Sequence, residues 1–193
     1  MKPSWMTRIG LATMGLAALA LTGGCATMSA DECMVADWYR LGESDARAGR
    51  TPEHLARRAS DCAEAGYPAD SDAWYEGFER GLTHFCTLHS GFRFGLEGSR
   101  YEHTCPSHLE DGFIEGYDLG SGIHELGSEI DRIDREMERL TREIRSERDA
   151  DRPDRSRLGE LRDRREDLDR QRRSLEVELA TLRGMARGRG FRL

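Results

Sequence analysis

Apolar positions are distributed along the chain in three different ways. From Ile9 to Leu21 they form an uncharged run, preceded by Lys2 and Arg8. Between Asp37 and Tyr117 they recur at helical spacing in short segments broken by Gly, Pro and Asp. After Gly120 the pattern becomes strict. Ile123, Leu126, Ile130, Ile133, Met137, Leu140 and Ile144 alternate by three and four, the a/d seam of a coiled coil. Asp149 to Pro153 interrupts the seam. Leu158, Leu161, Leu168, Leu175, Leu179 and Leu182 resume it, with Arg165 and Arg172 at two a positions.

These patterns predict an all-α fold: a small Gly-rich helical domain over 31–106, then a long antiparallel helical hairpin over 107–186 that turns near 149–154. Asp37-Trp38 opens a helix ending near Gly49. Thr51 is placed as the N-cap of a second helix, with Pro52 at its first position, where the missing N–H costs nothing. Leu55, Ala59 and Cys62 share one face of that helix, which stops at Gly66. Asp70-Ser71-Asp72 starts a third, carrying Trp74, Phe78, Leu82 and Phe85, with Cys86 at its end. Residues 87–106 leave a helix and a compact loop open. Ser107-His108-Leu109-Glu110 fits a capping box for the long helix. Residues 187–193 read as a frayed basic tail.

The seam also predicts a register. A turn at Arg152-Pro153 sets Ile123 against Leu182, Ile130 against Leu175, Ile133 against Arg172 and Leu140 against Arg165. In a parallel homodimer each seam arginine would meet its own copy. In the hairpin its stem covers an apolar residue while the guanidinium snorkels toward Glu136 and Glu143. Glycines at near-helical spacing (Gly77 and Gly81, Gly91 and Gly95, Gly112, Gly116 and Gly120) form a second stripe. Each costs roughly 1 kcal/mol against Ala inside a helix, so the stripe signals close backbone approach, by a packed helix or by a ligand lying against the bare backbone.

Charge and the N-terminus narrow the function. A basic start, an apolar run too short for the roughly 20 residues of a membrane span, and small residues read as a secretory signal. Leu21-Thr22-Gly23-Gly24-Cys25 resembles the lipobox of bacterial lipoproteins, with Thr22 where Leu is usual. On that reading residues 1–24 are removed, Cys25 becomes the lipidated N-terminus, and 25–30 is a tether. The chain has 36 acidic and 29 basic residues; loss of Lys2 and Arg8 leaves 27 basic, a net charge of −9. That balance argues against nucleic acid as a partner, which needs a basic face.

Apart from Cys25, the cysteines are Cys33, Cys62, Cys86 and Cys105. An even number in an oxidising compartment reads as disulfides, with three pairings open. Cys33–Cys62 and Cys86–Cys105 each staple consecutive segments, and are the expected pairs. A metal-binding alternative exists. His84-x-Cys86-x-x-His89 and His103-x-Cys105-x-x-His108 have spacings that could hold zinc. No nucleophile or phosphate-loop motif occurs, so neither an enzyme nor a cofactor is expected.

Asp37-Trp38, Gly42, Asp45, Gly49, Cys62, Gly66, Tyr75, Gly77, Gly81-Leu82 and Cys86 form an ordered set. Gly91, Gly95, Gly98, Tyr101, Cys105-Pro106, Phe113 and Tyr117 continue it. Over about residues 31–145 this set resembles the bacterial envelope lipoproteins catalogued as domain of unknown function 2799. Ala46 stands where that family commonly has Gly. The resemblance implies an anchor and an envelope compartment, and no established activity. Ala26 after the cysteine, by similarity to lipoprotein sorting, implies the outer membrane, with the chain facing the periplasm. The expected role is a structural or interaction protein that meets the membrane through Cys25 and another envelope component through its exposed surface. The alternative is a periplasmic module binding a metal or small ligand at the His/Cys segments.

Overall fold

A computed structural model describes residues 27–193. Every element is helical: α1 (Ala30–Met34), α2 (Trp38–Arg47), α3 (Glu53–Glu64), α4 (Ser71–Phe85), α5 (Leu88–Leu96), α6 (Ser107–Arg148) and α7 (Arg155–Gly188). Local chemistry sets most of the starts. Asp37 accepts from the Arg40 N–H, Asp70 from Ala73 and Thr87 from Ser90. Thr87 thus begins a helix within the stretch that the sequence left open, and residues 97–106 form the loop after it.

Two expected caps are different. α3 begins at Glu53 with Pro52, not Thr51, at the cap position. α6 begins at Ser107 with Pro106 at its cap and no side-chain cap bond. The capping box fails because Glu110 is engaged elsewhere: the Tyr101 hydroxyl donates to it at 3.1 Å, and His103 Nδ1 lies 3.0 Å away.

The domain is one motif built twice. In α2 and α4 the helices cross at Gly42, Gly77 and Gly81; in α5 and α6 they cross at Gly91, Gly116 and Gly120. A Cβ on Gly42 would meet Trp74 O and Phe78 N, and one on Gly91 would meet Phe113 O and Tyr117 N. Gly77 faces Tyr39 O as Gly116 faces Leu88 O, and Gly81 faces Glu43 O as Gly120 faces Phe92 O. The sequences run in step: Trp74-Tyr-Glu-Gly-Phe-Glu-Arg-Gly81 beside Phe113-Ile-Glu-Gly-Tyr-Asp-Leu-Gly120. Gly49 and Gly98 end the first helix of each unit at φ +70° and +72°, a conformation that disfavours other residues. Each unit is stapled by one disulfide, Cys33–Cys62 (Cα–Cα 5.3 Å) and Cys86–Cys105 (5.6 Å). These are the expected pairs. Trp74 and Phe113, equivalent in the two units, are both fully buried in one shared core.

α6 belongs to the Gly-rich helical domain and to the hairpin at once. Its first turns pack on α5, and α7 runs antiparallel along the rest. The ion pairs Arg189–Glu115 (2.9 Å), Arg172–Asp134 (3.6 Å) and Arg157–Glu147 (3.4 Å) lie within one residue of the expected register. Ile133 and Leu140, set against the seam arginines in that register, are each only 1% exposed.

Both ends of the described chain pack, where a tether and a frayed tail were expected. Thr27 donates from its N–H and hydroxyl to Asp61 on α3, and Met28 is buried beside Cys62. At the other end Phe191 is buried, stacked on Phe92 at 4.1 Å with the His89 ring against its edge. An aromatic residue outside the heptad pattern has here found its own apolar slot.

Candidate functional site

Cys25, the expected lipidation site, lies outside the described residues. The His/Cys segments are described, and they do not converge on one centre. The sulfurs of Cys86 and Cys105 are bonded to each other, so neither is available as a thiolate ligand. His103 leans on Glu110 from a left-handed conformation at φ 53°. His89 packs against Phe191, while His84 and His108 are exposed. Among the described residues no group of three His, Cys, Asp or Glu side chains is arranged to hold a metal ion.

His84 instead helps to line an open cleft of about 420 Å³ between the two units, with Arg47, Ser90, Arg93 and Glu97 around a floor of Phe85 and Phe94. Arg47 is tied to Glu43 at 2.7 Å and Arg93 to Glu97 at 4.0 Å. The rim charges are thus largely satisfied from within the chain.

The densest polar constellation is centred on Asp45, which is 1% exposed. Arg58 and Arg50 donate to Oδ1 at 3.0 and 3.2 Å, and the Trp74 indole N–H donates to Oδ2 at 3.1 Å. His54 Nε2 stands 3.7 Å from Oδ1. Three elements build this knot: α2 carries Asp45, α3 carries His54 and Arg58, and α4 carries Trp74. With donors on both oxygens, the Asp45 side chain is oriented and sealed from water, and it locks three helices together. Burial pushes His54 below its ordinary value; Asp45 opposes that shift, while Arg50, Arg58 and Arg57 reinforce it. Arg50 and Arg57 flank opposite nitrogens of the ring. A neutral imidazole has one acceptor nitrogen, so one of these contacts at a time is a hydrogen bond.

A second polar group closes the Cys105 loop. The Tyr101 hydroxyl accepts from the Cys105 N–H and donates to Glu110; burial first, then the hydrogen bond to Glu110 and its charge, push its pKa up to about 12 against the opposing Cys105 N–H. Tyr117 ties the same loop through Ser99 O and the Tyr101 N–H.

Sequence reasoning found Asp45 and Trp74 separately, one as a family residue and the other as core, and missed that they meet. The signal was present: Asp45 falls in the buried stripe of α2 formed by Trp38, Gly42, Ala46 and Gly49. An acid there needs a donor. In the second unit the equivalent residue is Phe94, whose ring lies 6.1 Å from Phe113. The knot is therefore particular to the first unit.

No curated protein and no solved structure matches the chain. Residues 37–122 match a family model from the cap of α2 to just past the second glycine crossing on α6. Over this two-unit domain the chain matches the family described as "Protein of unknown function (DUF2799)".

Proposed function

We propose that the protein is a lipid-anchored envelope protein, acylated at Cys25 and held at the outer membrane. In this reading its rigid domain presents a helical arm to another envelope component. The observation that carries the reading is the arm. α6 is 42 residues long, about 63 Å, while α5 covers only about 13 Å of it. From Gly122 to the turn, some 40 Å of paired helix has α7 as its main neighbour. Such a pair of helices exposes charged faces suited to contact. The anchor side of the proposal rests on the lipobox resemblance, the family and the bonds from Thr27 to Asp61. With Thr27 bound to α3, a lipid on Cys25 would hold the domain close to the bilayer. No helix among the described residues is long and apolar enough to cross a membrane.

The test has two parts. Mass spectrometry of the mature N-terminus should find an acylated Cys25 in the outer-membrane fraction, and Cys25→Ala should leave the chain unprocessed or misplaced. An unmodified Cys25 on soluble protein ends the anchor reading. Photocrosslinkers placed at exposed arm positions such as Glu138 should capture a defined envelope component that crosslinkers on α3 do not. Equal capture from both places ends the arm reading.

A further inference from the structure

The two seam arginines have opposite fates. Arg172 has carboxylates of Asp134, Asp169 and Glu176 within 4 Å. Arg165, one heptad nearer the turn, has none within that distance among the described residues. It is joined there by Arg162, its neighbour at i−3, and by Arg145 and Arg148 across the seam on α6. The four line an open cleft of about 320 Å³ with Ile144 in its lining and Glu166 as its one acid. Arg148 is paired with Asp149 at 2.8 Å, whose carboxyl is held below its ordinary value first by that arginine and also by Arg145. Arg145, Arg162 and Arg165 have no carboxylate within 4.0 Å among the described residues.

This arrangement is not the general state of the arm. On the neighbouring face Arg132 pairs with Glu129, Arg139 with Glu136 and Glu143, and Arg164 with Glu136. There the charges alternate and cancel. At the cleft two i,i+3 arginine pairs on facing helices converge, a placement in which like charges repel. The concentration of cations stands out on a chain whose formal net charge is −7. Guanidinium forks from two sides match the paired oxygens of carboxylate or phosphate.

We propose that this cleft near the tip of the arm binds a ligand carrying two or more oxyanion groups, carboxylate or phosphate. The ligand supplies the negative charge that the chain withholds from these arginines. The site stands whether or not Cys25 is acylated, so its failure and that of the anchor are separate results.

The experiment is calorimetric titration of the full chain in detergent at low salt, with inorganic tripolyphosphate and citrate as probes. Saturable binding of either supports the site, and the stronger probe identifies the oxyanion. Arg145→Gln/Arg162→Gln/Arg165→Gln should weaken it by roughly tenfold or more. Arg132→Gln/Arg139→Gln, on the paired face, should leave it within about twofold. The double variant Arg145→Gln/Arg162→Gln keeps the seam residue in place and preserves the test if the triple variant loosens the arm. No saturable binding of either probe, or equal loss in the paired-face control, overturns the proposal.

Discussion

The glycine crossings make one substitution change sign along the chain. A Cβ on Gly42 would lie 2.0 Å from Trp74 O, and one on Gly91 would lie 2.0 Å from Phe113 O. Real Cβ atoms stay beyond 3.0 Å, so Gly42→Ala forces α2 and α4 apart by about 1 Å, against the backbone and not a yielding side chain. Overpacking of this kind costs about 3 kcal/mol, the upper part of the usual range. For a chain of this size that lowers Tm by about 6–12 °C. Gly91→Ala should cost about the same, because the second unit repeats the geometry. Gly112 and Gly127, inside α6 with nothing within 4 Å of a Cβ, have no such conflict. There Ala should gain up to about 1 kcal/mol from helix propensity and raise Tm by about 2–4 °C. Thermal unfolding of the four single variants, followed by circular dichroism, separates the signs. A Gly42→Ala variant as stable as wild type, or a Gly127→Ala variant as damaged as Gly42→Ala, refutes the close crossing.

Three further outcomes are expected. Asp45→Asn strands Arg58 in a site where its side chain is 13% exposed; allowing for the half-exposed Arg50, the loss is about 2–3 kcal/mol by denaturant unfolding, and an added Arg58→Met should recover part of it. Cysteines at Ile130 and Leu175, opposite each other in the expected register, should oxidise within one chain in a background without native thiols, since a disulfide needs Cα atoms within roughly 7 Å; non-reducing peptide mapping that finds the bridge only between chains excludes the hairpin. Because His54 titrates below its ordinary 6.5 in the folded chain, the unfolded state binds its proton first, so stability is full above about pH 6.5 and falls as pH drops through that value. Stability at about pH 5.5 and 7.5 should differ less in His54→Gln.

The helices were legible because their signals are local. Asp37, Asp70 and the three-four alternation after Gly120 each act through neighbours a few residues away. The failures came where a distant partner won. Glu110 was read as a capping acid and is drawn instead to Tyr101 and His103. Phe191 was read as part of a frayed tail because its partner, Phe92, lies on α5. Thr27 likewise has a distant partner, Asp61 on α3. The glycine stripe marks close approach except at Gly112, where a Cβ would meet nothing, and the double unit behind it stayed hidden. Its two halves run in step along α4 and α6 but diverge along α2 and α5: Ala46 replaces one glycine of the set, and Asp45 stands where the other unit has Phe94.

That last difference explains how two copies of one crossing can fill a single core without being interchangeable. In the second unit Phe94, Phe113, Tyr101 and Tyr117 form a contiguous aromatic cluster, and the first unit adds Phe85 to it. Trp74 differs from Phe113 by an indole N–H that cannot be buried unpaired without cost. Asp45 satisfies it, and the buried carboxylate then requires Arg58 and Arg50. Those arginines come from α3 and the turn before it, so α3 is pinned at both ends of its buried face, by the knot and by Cys62. The second unit has no helix between its glycine pair, only the loop 97–106, and there the Tyr101–Glu110 and Tyr117–Ser99 bonds do the tying. The polar knot and α3 thus form one feature. The family match ends at residue 122, where this domain gives way to the arm. The stretch that matches the family is the doubled crossing, and the arginine cleft near the arm's tip lies outside it.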